Sequence, residues 1–157
     1  MTKKLIISAA LIILLTSPSL HVQAADKESL QTYVEETAAE YGICPELIKA
    51  IIEKESDWNP DAYNGGCIGL MQINPKYQVE RMERLSVTDL YDPYSNILIG
   101  IDYIAELAEE YQDLYAVLMF YNAGYSAKYG LRAWEAGNYS NYAVKVSERA
   151  AELERLK

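Results

Sequence analysis

Apolar residues recur at the three-to-four-residue spacing of a helix through most of this chain, and no segment shows sustained two-residue alternation. This spacing predicts helices over residues 28–41, 45–58, 77–85, 94–110, 114–121 and 141–156. Residues 114–121 are apolar on nearly every side, so a buried strand is an alternative there. At 157 residues the chain fits one domain, which is expected to be mainly α-helical with little or no sheet.

The N-terminal segment, residues 1–24, has the pattern of a secretory signal peptide. Two lysines precede an apolar run over residues 5–15, and small residues around Ala24 resemble a cleavage site. The run is shorter than the about 20 residues that a membrane span needs, although an uncleaved anchor is an alternative. We therefore expect cleavage after Ala24 and a secreted or otherwise extracytoplasmic domain over residues 25–157.

The charge of the expected mature chain limits its partners. The whole chain carries a formal charge of -9, and the segment removed holds two lysines and no acidic residue, which leaves -11. Nucleic acid binding needs cationic contacts to phosphates, and anionic lipid surfaces attract basic segments. Neither a nucleic acid nor, after cleavage, a membrane is expected as a partner.

Histidine is missing from the expected mature chain, because His21 is the single histidine of the sequence. Nucleophilic systems of the Ser-His-Asp and Cys-His kinds are thereby excluded, as are the usual histidine-containing zinc sites. No metal is expected. Acid–base chemistry would have to use carboxylates, tyrosines or lysines.

Two cysteines remain, Cys44 and Cys67. In an oxidising compartment they are expected to form a disulfide that ties the start of helix 45–58 to the loop beyond it. Closing a loop of this length would stabilise the fold by ~3 kcal/mol. Two unpaired, buried thiols are the alternative.

Glu55 is the acidic residue that helical phase places on the apolar face of segment 47–58. It aligns with the apolar side chains of Ile48, Ile51 and Ile52. A carboxylate against apolar neighbours loses hydration, which raises its pKa and suits it to donate a proton near neutral pH. The alternatives are a helical phase that is wrong by one residue, or a buried glutamate paired with an arginine.

Four short motifs follow one another along the chain from Glu55 onward. The first consists of Glu55-Ser56, Asn59-Pro60, Ala62 and Gly69-Leu70-Met71-Gln72-Ile73. The others are Asp92 with Asn96, Gly100 and Tyr103, then Tyr121-Asn122-Ala123-Gly124, and finally Tyr142-Ala143-Val144-Lys145-Val146. Together they resemble the signature of the soluble lytic transglycosylase (SLT-type) catalytic domain, which is related to goose-type lysozyme.

This resemblance covers about residues 33–150 and implies a compact lysozyme-like helical domain with a substrate groove. The sequence departs from the family pattern at two places, and neither of them is Glu55. The loop between Ala62 and Gly69 is one residue shorter than the common form and holds Cys67 in place of a small residue, and Ala143 stands where valine is typical. We expect these differences to affect loop shape and substrate preference.

The resemblance implies an enzyme that cleaves the β-1,4 bond between N-acetylmuramic acid and N-acetylglucosamine in peptidoglycan without adding water. Glu55 would protonate the leaving oxygen and then, as a base, help the sugar's 6-hydroxyl attack the anomeric carbon, which leaves a 1,6-anhydro end. This scheme needs one carboxyl group and no cofactor, whereas ordinary glycosidases need two carboxyl groups.

The resemblance also suggests residues that bind the substrate. Gln72 would orient an acetamido group, Met71 would supply apolar contact, and Asn122 would hold a sugar hydroxyl or carbonyl. The Tyr121 hydroxyl would hydrogen-bond the catalytic carboxylate, and Ser56 would bind substrate or backbone. Plain packing or turn formation is the alternative at each position.

Three other functions stay open at this point. A muramidase on the same fold would use water as the nucleophile. A non-catalytic peptidoglycan-binding module would be expected to lack Glu55 or the Gly-Leu-Met-Gln segment, and both are present. An enzyme of the same kind could also work within a cell-envelope secretion or conjugation apparatus, where it would open the wall locally.

Overall fold

The computed structural model of this protein describes residues 26–123 and 132–157. The predicted signal peptide over residues 1–24 lies outside these ranges, as does Gly124 of the third motif. Neither range contains a helix long and apolar enough to cross a membrane. The described residues are mainly α-helical and surround a hydrophobic core, as the sequence predicts.

The first two helices lie close to their predicted positions. Helix α1, Lys27–Glu40, begins after Asp26, whose carboxylate accepts a hydrogen bond of 2.8 Å from the Ser29 N–H. Helix α2, Pro45–Glu55, begins with a proline, which lacks an N–H that the first turn would leave unpaired. It ends earlier than predicted because Asp57 and Trp58 have φ of 50° and 63°, a left-handed conformation that cannot continue the helix.

Three longer helices complete the bundle. Helix α4, Pro93–Tyr111, follows a short helix α3, Val79–Arg84. Helix α5, Leu114–Ala123, settles the ambiguity of its apolar sequence in favour of a helix, and helix α6 is Asn141–Arg155. Helix α2 packs against α1 and α6, while α4 packs against α1 and α5.

The sheet is confined to a hairpin between α2 and α3. Strand β1, Tyr63–Asn64, pairs antiparallel with strand β2, Cys67–Ile68, and a short 3-10 helix follows at Pro75–Tyr77. Gly65 and Gly66 form the turn with φ of 58° and 91°, which is the conformation that two-residue hairpin turns require. The prediction of little or no sheet is confirmed.

The core confirms the helical phase predicted for α2. Ile48, Ile51 and Ile52 are fully buried. Burial of each such side chain stabilises the fold by about 1.5–3 kcal/mol. Because these three residues face the core together, a phase wrong by one residue is excluded, and the end of α2 is held firmly where Glu55 stands.

A buried amide attaches the Gly-Leu-Met-Gln segment to α4. Asn96 is fully buried, and its Oδ1 accepts a hydrogen bond of 2.8 Å from the Met71 N–H. Its Nδ2 donates to the carbonyl oxygens of Ile68 and Leu90 at 2.8 and 2.9 Å. Gly69 has a φ of 73°, and a Cβ there would collide with the Asn96 amide. The glycine and the asparagine therefore fix this segment together.

The predicted disulfide between Cys44 and Cys67 is wrong, because both thiols are free. Cys44 precedes the first turn of α2, where its Sγ donates to Glu46 Oε2 at 3.3 Å. Cys67 lines the same cleft as Glu55, the last residue of α2, whereas Cys44 lies before the first residue of that helix. The 11 residues of α2 span about 16 Å, whereas a disulfide needs Cα atoms within about 7 Å.

We expect reductant to leave the stability of the protein unchanged. Thermal unfolding followed by circular dichroism should give the same Tm with and without dithiothreitol, and maleimide labelling should find two free thiols. A disulfide over this loop would stabilise the fold by ~3 kcal/mol. A fall of several degrees in Tm on reduction would therefore contradict the free-thiol arrangement.

Candidate active site

A cleft of about 590 Å³ runs past the C-terminal end of α2. The hairpin, the 3-10 helix, α3, α4 and α5 all contribute to its walls. The lining includes Glu55, Gln72, Gln78, Arg81, Tyr121 and Asn122. It thus brings together three of the five predicted substrate-binding residues with the predicted catalytic glutamate.

Glu55 is the last residue of α2 and is half-buried at the cleft. The Tyr142 O–H donates a hydrogen bond of 2.6 Å to Glu55 Oε1. Burial raises the pKa of Glu55, and this effect outweighs the hydrogen bond from Tyr142 and the charge of Lys54, which both lower it. Glu55 therefore keeps its proton to a higher pH than an exposed carboxyl group.

A buried glutamate paired with an arginine was the alternative interpretation of Glu55. In the structure it is Glu53, and not Glu55, that pairs with an arginine. Arg149 Nε and Nη2 donate to the Glu53 carboxylate at 2.7 and 3.3 Å, across the contact between α2 and α6. Glu55 forms no ion pair with any residue in the described ranges. No ion-pair partner in these ranges therefore lowers the pKa of Glu55 back toward its ordinary value.

Tyr121 lines the cleft, but the predicted hydrogen bond from its hydroxyl to Glu55 is wrong. The Tyr121 O–H donates to the Met71 carbonyl oxygen at 2.7 Å. Tyr142 takes the predicted role because α6 packs along α2 and brings its first turn beside Glu55. The sequence placed Tyr142 in the fourth motif, but no local pattern indicates that it meets a residue 87 positions away.

We expect Tyr142→Phe to raise the pKa of Glu55 further, because the substitution removes a hydrogen bond that stabilises the ionised carboxylate. The measurement is an NMR titration of the Glu55 side-chain carboxyl carbon. Tyr121→Phe is the matched control, since that hydroxyl bonds to a backbone carbonyl and should leave the pKa of Glu55 near the wild-type value. An unchanged or lower pKa in Tyr142→Phe would contradict the assignment.

Gln72 has a fixed orientation at the cleft wall. Its Nε2 donates to the carbonyl oxygens of Ala62 and Gly69 at 3.2 and 3.0 Å. Carbonyl oxygens can only accept, so the amide must place its NH2 group toward them. The Oε1 atom is therefore the group of Gln72 that is left to accept a hydrogen bond from a ligand.

Ser56 and Met71 do not line the cleft, although both were predicted to bind substrate. The Ser56 hydroxyl donates to the Leu70 carbonyl oxygen at 2.8 Å and so joins the end of α2 to the Gly-Leu-Met-Gln segment. Met71 is fully buried against Gly100, where an added Cβ would collide with the Met71 sulfur. The Ser56 hydroxyl therefore bonds to backbone, which is one of its two predicted roles. Met71 packs in the core, where its side chain does not reach a substrate.

Several residues of the cleft are not indicated by any sequence pattern, among them Gln78, Arg81 and Glu106. Glu106 is a second carboxylate in this cleft, but Arg81 Nη2 donates to its Oε2 at 2.9 Å. These residues lie on α3, α4 and the turn before α3, and helical spacing alone does not show how those elements are placed. Within residues 26–123 and 132–157, no group of three or more His, Cys, Asp or Glu side chains could hold a metal ion.

Comparisons with known proteins agree with the motifs. The family model described as Transglycosylase SLT domain matches residues 32–142. The chain is 37% identical over 106 residues to membrane-bound lytic murein transglycosylase E of Buchnera aphidicola, covering 58% of this chain and 48% of that protein. It is 34% identical over 88 residues to the transglycosylase of Enterobacteria phage PRD1, covering 55% of this chain and 32% of that protein. The chain thus spans less than half the length of both curated relatives.

Solved structures show the same fold. The 70 kDa soluble lytic transglycosylase SLT70 of Escherichia coli superposes with a TM-score of 0.58 at 26% identity, covering 76% of this chain and 21% of that one. An inactive mutant of the lytic transglycosylase Slt of Pseudomonas aeruginosa superposes with a TM-score of 0.64 at 21% identity, covering 76% and 23%. The helical lysozyme-like fold predicted from the motifs is confirmed.

Proposed function

This chain belongs to the Transglycosylase SLT domain family, and we propose that it is a lytic transglycosylase that acts on the glycan strands of peptidoglycan. The bond cleaved is the β-1,4 linkage from N-acetylmuramic acid to N-acetylglucosamine. The observation that carries the proposal is Glu55, a half-buried carboxyl group with a raised pKa and no ion-pair partner in the described ranges, which faces a cleft. The names of the relatives, which include lytic murein transglycosylase, support the same reaction.

In the first step the protonated Glu55 donates its proton to the glycosidic oxygen. The bond between that oxygen and the anomeric carbon of N-acetylmuramic acid breaks, and N-acetylglucosamine leaves with a new hydroxyl group. Burial favours the protonated form of Glu55 at the start of this step. The Tyr142 hydroxyl, 2.6 Å from Oε1, stabilises the carboxylate that forms.

In the second step the Glu55 carboxylate takes the proton of the 6-hydroxyl of the same N-acetylmuramic acid. The 6-oxygen then bonds to the anomeric carbon, which gives the 1,6-anhydro end and restores the protonated glutamate. No water is consumed. Gln72 Oε1 is in a position to accept a hydrogen bond from an acetamido N–H, because its NH2 group is already committed to two backbone carbonyls.

A hydrolytic muramidase is less well supported by this cleft. Hydrolysis by the usual scheme needs a second free carboxylate to act as base or nucleophile. The second carboxylate found in this cleft, Glu106, is bound to Arg81. A one-carboxylate reaction therefore fits the charges of the described residues better.

Product analysis separates the candidate functions. Purified residues 25–157 should release muropeptides from peptidoglycan whose muramic ends are lighter by one water than hydrolysed ends, as measured by liquid chromatography and mass spectrometry. Reducing ends alone would assign a muramidase. Binding to peptidoglycan without any released product would assign a non-catalytic module.

The place of action is a further part of the proposal. The signal-peptide pattern over residues 1–24 supports export, and the acidic mature chain argues against anchoring on anionic lipid. We expect the protein in the extracytoplasmic fraction, with Ala25 as the first residue found by N-terminal sequencing. A role within a secretion or conjugation apparatus is a separate hypothesis, which co-purification with such an assembly would test.

A further inference from the structure

Arg81 is a buried cation at the edge of the cleft, and three of its five N–H groups donate to other residues of the protein. Nε donates to Gln78 Oε1 at 2.8 Å, Nη1 donates to Asp102, and Nη2 donates to Glu106 at 2.9 Å. The guanidinium carbon also lies 5.0 Å from the centre of the Tyr103 ring. Because Arg81 is only 8% exposed and bonded in three directions, its side chain is held in a fixed position.

The hydrogen bond from Arg81 determines which end of the Gln78 amide group faces the cleft. An arginine N–H can only donate, so the amide oxygen of Gln78 must point toward Arg81. Gln78 lines the cleft, and in the described parts of the chain nothing accepts a hydrogen bond from its NH2 group. The NH2 group is therefore the end of the Gln78 side chain that no residue in the described ranges occupies.

The orientation of Gln78 is fixed before a ligand arrives. The backbone N–H of Gln78 donates to the Pro75 carbonyl oxygen at 3.2 Å, and the backbone carbonyl oxygen of Gln78 accepts from the Met82 N–H at 2.8 Å. The backbone is therefore held on both sides of the residue. Arg81 is held in turn by Asp102, which is 7% exposed and also accepts a hydrogen bond of 2.6 Å from Arg84 Nη2. A side chain held this way loses little conformational entropy on binding.

The two glutamines of the cleft thus offer opposite groups, an acceptor oxygen at Gln72 and a donor NH2 at Gln78. We propose that Gln78 binds the substrate by donating a hydrogen bond to a carbonyl or carboxylate oxygen of the peptidoglycan strand, and that Arg81 is its positioning residue. Such oxygens occur in the N-acetyl groups and in the peptide stems. The inference rests on the proposed function, because it assumes that this cleft holds a peptidoglycan strand.

The test is Gln78→Glu, a change of nearly identical shape. One carboxylate oxygen keeps the bond to Arg81, while the other faces the ligand as an acceptor in place of the donor. Losing one net hydrogen bond should raise KM about 3- to 10-fold and leave kcat within about twofold, because the contact is the same in ground state and transition state. Gln31→Glu, on α1 and away from the cleft lining, adds the same charge and should keep the wild-type KM.

Two substrates identify which oxygen is bound. If the acceptor is an N-acetyl oxygen, KM should rise on both peptide-bearing strands and strands stripped of peptide by an amidase. If it is a peptide-stem oxygen, KM should rise only on the peptide-bearing strands. Tm values of Gln78→Glu and Gln31→Glu equal to the wild-type Tm would show that folding is intact.

An active wild-type enzyme with an unchanged KM for Gln78→Glu on both substrates would overturn the assignment of Gln78. A wild-type protein that releases no 1,6-anhydro product would instead overturn the proposed function. The two failures are therefore distinguishable.

Discussion

Glu55→Gln is expected to lower kcat/KM on peptidoglycan by about 10²- to 10⁴-fold, the range typical of losing a general acid–base group. The effect should lie toward the upper end, because one carboxyl group is proposed to act as both acid and base. Glutamine has the same shape and can still accept a hydrogen bond from Tyr142, so the fold should be retained. Release of anhydromuropeptides, measured by mass spectrometry over time, is the readout.

Two other glutamates provide matched controls for this result. Glu53→Gln lies on the same helix and removes a partly exposed ion pair with Arg149, which should cost at most about 1 kcal/mol and leave activity near wild type. Glu106→Gln removes the second carboxylate of the cleft. If Glu106→Gln abolished turnover as fully as Glu55→Gln, the one-carboxylate scheme would be wrong.

Asp102→Ala should destabilise the protein by up to about 3–5 kcal/mol, since it leaves the buried Arg81 with only an exposed carboxylate, Glu106, as an ion-pair partner. Asp102 and Arg81 are 7% and 8% exposed, and Asp102 also binds Arg84. The measurement is urea unfolding followed by circular dichroism. Glu106→Ala is the control, because this carboxylate is 60% exposed at the outer end of the same guanidinium and should contribute less than about 1 kcal/mol.

The stability that Asp102 contributes should depend on pH. Burial raises the pKa of Asp102, but hydrogen bonds from Arg84 and Arg81 outweigh that effect and lower the pKa below its ordinary value. A carboxyl group with a lowered pKa in the folded state stabilises the fold above its unfolded pKa, and this contribution is lost as the pH falls through the folded pKa. The gap in unfolding free energy between wild type and Asp102→Ala should therefore narrow in acid. A constant gap from neutral to strongly acidic pH would contradict the role of this ion pair.

Local sequence determined the helices and the choice of Glu55. Apolar spacing along one helix depends on residues three and four positions apart, and the fully buried Ile48, Ile51 and Ile52 show that the phase was correct. The same phase separates Glu55 from Glu53, one facing the cleft and the other meeting Arg149. The four motifs indicated the Transglycosylase SLT domain family, and the match of its family model to residues 32–142 shows that membership.

Contacts between distant segments were decided only by the tertiary structure. Tyr142 and not Tyr121 meets Glu55 because α6 packs along α2, while Tyr121 reaches the backbone of Met71. Cys44 and Cys67 are both free, because Cys44 precedes the start of α2 while Cys67 lines the cleft beside the residue that ends it. Helical spacing specifies which face of an element is apolar, but the neighbour that covers this face is chosen by packing across the whole core.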